Sequence, residues 1–257
     1  MAADHALLAV SDLKHRFGGV QAVDGCSFNV PQGSVSALIG PNGAGKSTVV
    51  NLVSGALPLQ SGHMEFLGKS IGGRPAYQIA RAGLIRTFQL SRELRRMTVT
   101  ENLLVASQSW RLESPWVALF GRKASRTLER ELLSRIGEML TELGLYGQRD
   151  TYAGELSGGQ KRLLELARAL IVEPKMVILD EPMAGVNPVL IDRVVEVIQR
   201  FNARGVTFLL VEHKLEVVDA LCDQVVVMAA GRVIATGSMG EVRQDSAVVE
   251  AYIGRAN

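Results

Sequence analysis

The stretch Gly40-Pro41-Asn42-Gly43-Ala44-Gly45-Lys46-Ser47-Thr48 decides how this chain is read. It follows an apolar run, residues 34–39, that reads as a strand, and it opens residues 46–53, which read as a helix. Glycines at this spacing before Lys and Ser let successive backbone N–H groups converge on phosphate oxygens at the positive end of a helix. Lys46 then reaches the β- and γ-oxygens, and the Ser47 hydroxyl is placed to ligate Mg2+. A tight glycine-rich turn with no ligand is the competing reading, and the flanking strand and helix weigh against it.

Outward from this loop, β-rich runs alternate with helical patterns. After residue 157 they read as helix 159–171, strand 176–180, helix 189–201, strand 206–211, helix 215–221 and strand 224–228, the alternation of an α/β fold. Before the loop, residues 26–30 alternate apolar and polar with period two, as a half-solvated antiparallel strand does, and residues 7–10 and 64–67 are further short strands. Residues 90–157 change character. Thr98-x-x-Glu101 is a capping box that opens a helix through Ser107, and residues 127–143 carry Leu128, Leu132, Leu133, Ile136, Leu140 and Leu143 at helical spacing. Residues 109–121, with Trp110, Trp116 and Phe120, connect the two. The expected architecture is one α/β domain: a core of residues 1–89 and 158–257 with an N-terminal antiparallel β layer, and an inserted α-helical subdomain, residues 90–157.

Composition narrows the function. The chain has 257 residues with 28 Lys+Arg against 26 Asp+Glu, a net charge of +2, which excludes a disordered tail and a polycationic nucleic-acid binder. Its two cysteines, Cys26 and Cys222, lie far apart and form no CxxC pair, so they read as free buried thiols in a reducing compartment. Mean hydropathy is high at +0.16, yet purely apolar runs such as residues 176–179 and 225–230 are far too short to span a bilayer. Asp4 and His5 interrupt the N-terminus, so it does not read as a signal peptide. The expected location is cytoplasmic, with membrane contact made through a partner.

Two further stretches carry chemistry. Met176-Val177-Ile178-Leu179-Asp180-Glu181 is a buried strand that delivers two carboxylates to its C-terminal edge, where they would face the phosphates. An Asp-Glu pair capping the next helix is the alternative. In Leu156-Ser157-Gly158-Gly159-Gln160, Ser157 caps a helix while the glycines leave amides open to an anion, which alone describes an ordinary cap and turn.

Set between the phosphate loop and the Asp180 strand, residues 156–160 resemble the signature of ATP-binding cassette (ABC) ATPases. The resemblance implies a P-loop NTPase of the ABC type and covers essentially the whole chain. It implies ATP and Mg2+ as ligands, with Ser47, Asp180 and Gln89 around the metal and Glu181 polarising the attacking water. Gln89, in Arg86-Thr87-Phe88-Gln89, is similar to the Q-loop glutamine. His213 is similar to the switch histidine at the γ-phosphate, although a histidine at a strand end is also a common solvated bystander. Phe17 stands where the family stacks an aromatic on adenine, and a core position suits it equally. Residues 184–187 resemble the D-loop, with Asn187 where the family usually has an acid. The family's signature, here Ser157, Gly158, Gly159 and Gln160, closes over ATP held by an opposing subunit. The resemblance therefore implies an ATP-clamped head-to-tail dimer whose hydrolysis drives a membrane partner.

Within the family, residues 86–89, 97–106, 181–188 and 250–254 are similar to ATPase subunits of branched-chain amino-acid importers, most of all to the first of the two ATPases such importers carry. That group often has Tyr where this chain has Gly158. The implied partners are integral membrane permeases, a second ATPase subunit in a heterodimer (a homodimer in isolation) and, indirectly, a periplasmic binding protein. The implied place is the cytoplasmic face of the inner membrane. Relatives serving urea or amide import or lipopolysaccharide export, and soluble ABC ATPases acting on DNA or the ribosome, are the alternatives. The soluble ones usually carry two cassettes or a long coiled coil, and this chain carries neither. A P-loop GTPase is disfavoured because no Asn-Lys-x-Asp motif is present.

Overall fold

Strands β3 (Val35–Ile39), β7 (Met176–Asp180), β8 (Thr207–Val211) and β9 (Gln224–Ala229) are nearly continuous apolar runs, because they are buried on both faces. The computed structural model describes residues 6–87, 92–108, 122–185 and 187–253. Gln89, Trp110, Trp116 and Phe120 lie outside the described residues. Among those described, no helix is long and apolar enough to cross a membrane.

Two compact units make up the chain: residues 1–86, 175–185 and 195–257 form one, and residues 87–174 and 186–194 form the other. The first holds both sheets. One is antiparallel, in the order β2-β1-β4-β5, where β1 is Ala6–Phe17, β2 is Val20–Pro31, β4 is Ser61–Phe66 and β5 is Lys69–Ser70. The other runs β10-β9-β3-β8-β7-β6, where β6 is Leu84–Arg86 and β10 is Arg232–Gly237. It is parallel throughout except for the antiparallel β9–β10 edge pair.

Strand periodicity divides the core. Leu38, Ile178, Leu209, Val211, Val226 and Met228 form one apolar cluster with Leu8, Met64 and Phe66 of the antiparallel sheet and with Val49, Val50 and Val53 of the helix Lys46–Val53. The alternate residues Ala37, Ile39, Val225 and Val227 pack instead with Val218, Met239, Val242 and Val248. A Leu38→Ala cavity here would cost about 2–5 kcal/mol. β1 and β2 run longer than the alternating patches of sequence indicate, because β1 pairs on both edges and absorbs its irregularities in register shifts.

The second unit is helical, with helices Val99–Gln108, Arg122–Glu142 and Gly158–Leu170. The Thr98 box forms as its sequence indicates: the Thr98 N–H donates to Glu101 Oε2 at 2.7 Å, and the Glu101 N–H donates to Thr98 Oγ1 at 3.1 Å. Ile136, Leu140 and Leu143 are buried, but Leu133 is 42% exposed and faces away from this apolar stripe. The helix 158–170, assigned to the core on sequence, belongs to this unit.

Candidate functional site

The order β3-β8-β7 is the key to the site, since the three strands are adjacent and parallel and so deliver their C-terminal ends to one edge. β3 runs into Gly40, β7 ends in Asp180 with Glu181 next, and β8 leads to Glu212 and His213. Such an edge is where open α/β sheets place ligands.

The loop 40–45 is shaped by glycine. Gly40, Gly43 and Gly45 have φ of 146°, 79° and 101°, and a Cβ on Gly40 would lie 2.1 Å from the Met228 carbonyl oxygen. Gly45 is the N-cap of helix Lys46–Val53 and provides no side-chain cap, so the first-turn amides point outward without intrahelical partners. The loop is stitched to the β9–β10 turn, where the Gly231 N–H donates to the Ala44 carbonyl at 3.0 Å. Lys46 is buried, and its Nζ donates to the Gly40 and Pro41 carbonyls at 2.7 and 3.1 Å. Burial lowers its pKa, while the charges of Glu181 and Asp180 act in the opposite direction. An inward-facing cation, a cradle that a Cβ would fill and open amides form the donor set a polyphosphate needs.

Asp180 accepts from Arg86 Nη2 at 2.8 Å, and Arg86 Nη1 donates to Asn51 Oδ1 on the helix after the loop. The sequence reading includes Arg86 in the stretch 86–89 but assigns it no role. Glu181 lies in the left-handed region at φ 49°, a conformation that costs an L-residue about 1–2 kcal/mol. Its N–H donates to the Val211 carbonyl at 2.9 Å, and its Oε1 stands 3.1 Å from His213 Nε2. Two candidates far apart in sequence thus meet. Among the described residues no group of three or more His, Cys, Asp or Glu would hold a metal alone. The Ser47 hydroxyl, exposed in the first helical turn, and the Asp180 carboxylate fit Mg2+ only as a cation shared with phosphate oxygens.

Phe17, at the end of β1, is 49% exposed and therefore not a core residue, and its ring meets the edge of buried His15 at 4.6 Å between centroids. Tyr252, in helix Ser246–Ile253, is hydrogen-bonded with the Gly40 backbone, which partly offsets the upward push of burial on its phenol. In the helical unit, Ser157 and Gln160 form a complete capping box, with Ser157 Oγ accepting from the Gln160 N–H at 3.3 Å. Gly159 has a steric role besides: a Cβ there would lie 2.1 Å from Leu190 Cδ2. Asn187 Oδ1 accepts from the Leu190 N–H at 2.9 Å and caps the helix Pro188–Ala203, a task Asn does as well as Asp.

Residues 23–184 match the family model described as ABC transporter. The chain belongs to the ABC transporter family of ATP-binding domains. Residues 232–256 of this cassette match a second model, branched-chain amino acid ATP-binding cassette transporter, and that segment contains Tyr252. The cassette is 40% identical over 248 residues to the probable branched-chain amino acid transport ATP-binding protein LivG of Archaeoglobus fulgidus, covering 96% of this chain and 95% of the relative. It is 40% identical over 252 residues to the high-affinity branched-chain amino acid transport ATP-binding protein BraF of Pseudomonas aeruginosa, covering 97% and 98%. A solved nucleotide-free cassette from an ABC transporter superposes with a TM-score of 0.85 at 38% identity, covering 97% of this chain and 100% of that one. A cassette in its ADP conformation superposes with a TM-score of 0.84 at 38% identity, covering 97% and 99%. The fold and the nucleotide-binding class of the site are those expected from the sequence.

Proposed function

We propose that this cassette is the ATP-hydrolysing subunit of an importer of branched-chain or other hydrophobic amino acids, held peripherally at the cytoplasmic face by its permeases. The observation that carries the chemistry is the 3.1 Å contact between Glu181 and His213 at the edge that also bears the phosphate loop. In this reading the amides of residues 43–48 and the Lys46 ammonium hold the β- and γ-phosphates. Lys46 would exchange its loop carbonyls for phosphate oxygens, and its lowered pKa reflects the burial that makes those contacts strong. Glu181 orients the attacking water and receives its proton, while His213 fixes the carboxylate and meets the γ-phosphate. Phe17 supports adenine. Ser47, Asp180 and Gln89 would hold Mg2+, which when bound neutralises charge developing on the phosphates.

The sequence and geometry of Ser157–Gln160 support a second role, an anion-facing helix end that closes over the ATP of an opposing subunit. Two ATP molecules would then clamp a dimer with a second cassette, and the helical unit would transmit opening and closing to the permeases. Transport of branched-chain amino acids is supported by the names of the relatives and by the match over residues 232–256. A periplasmic binding protein would deliver the cargo.

The test is reconstitution in liposomes with the permeases and the second cassette. Glu181→Gln is expected to retain ATP and stop uptake and phosphate release, and Lys46→Ala to lose ATP. Normal turnover by Glu181→Gln in the full complex would overturn the assignment of the base.

A further inference from the structure

Glu212 is a carboxylate only 3% exposed, at the end of β8 and beside His213. Its two oxygens are divided between two segments. Oε1 accepts from the Met183 N–H at 2.9 Å, in the turn after Glu181, while Oε2 accepts from the His213 N–H at 2.9 Å and the Lys214 N–H at 3.2 Å. Together with the Glu181 N–H to Val211 carbonyl bond and the Glu181–His213 contact, this makes three rungs between residues 181–183 and 211–213. Of the other two, the backbone rung ends on buried Val211, while the side-chain contact is open to change, since the Glu181 and His213 side chains are 50% and 43% exposed. The Glu212 rung is buried and ionic, and charge-assisted bonds of this kind are the stronger ones.

We infer that Glu212 is a positioning residue that sets the distance between Glu181 and His213 by bridging the turn at Met183 to the backbone of His213. The inference rests on the reading of Glu181 and His213 as the hydrolytic pair. The bridge requires an acceptor at both ends. An amide of the same shape offers one oxygen and one N–H2 group, so it faces one set of backbone N–H donors with a donor of its own. Glu212→Gln therefore breaks one end of the bridge without changing volume. Glu212→Asp keeps the charge but shortens the side chain by a methylene, which cannot span both ends.

Labelling the histidine Cε1 carbons of the full-length chain gives at most four signals, one per histidine. Glu181→Gln and His213→Ala assign the His213 signal and calibrate its response to the neighbouring carboxylate. Glu212→Gln is expected to move the His213 signal in the direction seen with Glu181→Gln, leaving the signals of buried His15 and exposed His63 in place as evidence of an intact fold. In the Glu181→Gln background the further movement is expected to be much smaller, because the two changes act on one contact. A His213 signal that stays in place in both Glu212→Gln and Glu212→Asp, with His15 and His63 unmoved, overturns the inference. If Glu212→Gln alone disturbs the His15 signal, Glu212→Asp decides. The hydrolytic reading fails separately, by normal turnover of Glu181→Gln in the complex, and that result leaves the movement of the His213 signal unaffected.

Discussion

Replacing Glu181 by glycine is expected to make the protein more stable than replacing it by alanine, the reverse of the usual order. At φ 49° every residue with a Cβ carries left-handed strain of about 1–2 kcal/mol. Glycine escapes that strain but loses about 0.5–1 kcal/mol in backbone entropy. Both variants lose the same contact to His213, which is half exposed and so cancels in the comparison. The balance favours glycine by about 0.5–1 kcal/mol, whereas in an ordinary strand or helix alanine would lead by a similar amount. For a chain of this length that difference is about 1–4 °C in Tm. Thermal and urea unfolding of the two purified variants, side by side at one pH, measures it, while both are expected to lack hydrolysis in the reconstituted complex. Glu181→Ala melting above Glu181→Gly would refute the claim that the backbone is held in a strained conformation here.

Other positions give independent checks. Asn187→Ala removes the cap of helix Pro188–Ala203 and should cost about 1 kcal/mol in urea unfolding, with Asn187→Asp restoring it. Gly40→Ala would force a Cβ to within 2.1 Å of the Met228 carbonyl, and its expected cost of about 1–3 kcal/mol should come with lost ATP binding, read by nucleotide-induced thermal shift. Burial pushes the Cys26 and Cys222 thiols from 9.0 up to about 12. An unfolded thiol ionises above its ordinary pKa while the folded one stays protonated, so stability is complete below pH 9.0 and falls as pH rises towards 12 by about 1.4 kcal/mol per pH unit for each thiol. A Cys26→Ala, Cys222→Ala double variant should lose this slope, and an unchanged slope between its unfolding curves at alkaline pH would contradict the burial argument.

Where local chemistry dictates structure, the sequence was enough to read it. The loop 40–48 cannot be built without its glycines, and a run such as Met176–Asp180 leaves its acids nowhere but a strand end. Ser157 and Thr98 declare their helices through reciprocal caps. Other features were legible but overlooked: Ser238 and Glu241 form a capping box that opens the helix Met239–Gln244, and Ala230-Gly231 is the turn of the β9–β10 hairpin. Arg86, Glu212 and Tyr252 were not legible in this way. Each acts through a partner distant in the chain, Asp180, Met183 and Gly40 respectively: the β6–β7 pairing brings Arg86 to Asp180, the β7–β8 pairing brings Glu212 to Met183, and the helix Ser246–Ile253 brings Tyr252 to Gly40. A charged side chain that follows four apolar residues, as Glu212 follows Phe208 to Val211, is the one available clue, since it must be either at the surface or hydrogen-bonded.

The join between the phosphate loop and the β9–β10 turn has a consequence for biosynthesis. Gly231 donates to Ala44 and accepts from Asp24, and Met228 forms the wall against which Gly40 rests. β3 itself lies between β8 and β9, both of which come from the last quarter of the chain. The motif that is written near the start of the message therefore gains its full surroundings only once the last quarter of the chain has been made, through contacts of high sequence separation. A chain cut before Gly231 would carry every residue of the phosphate loop and lack the bond from Gly231 to Ala44 that ties the loop to the β9–β10 turn.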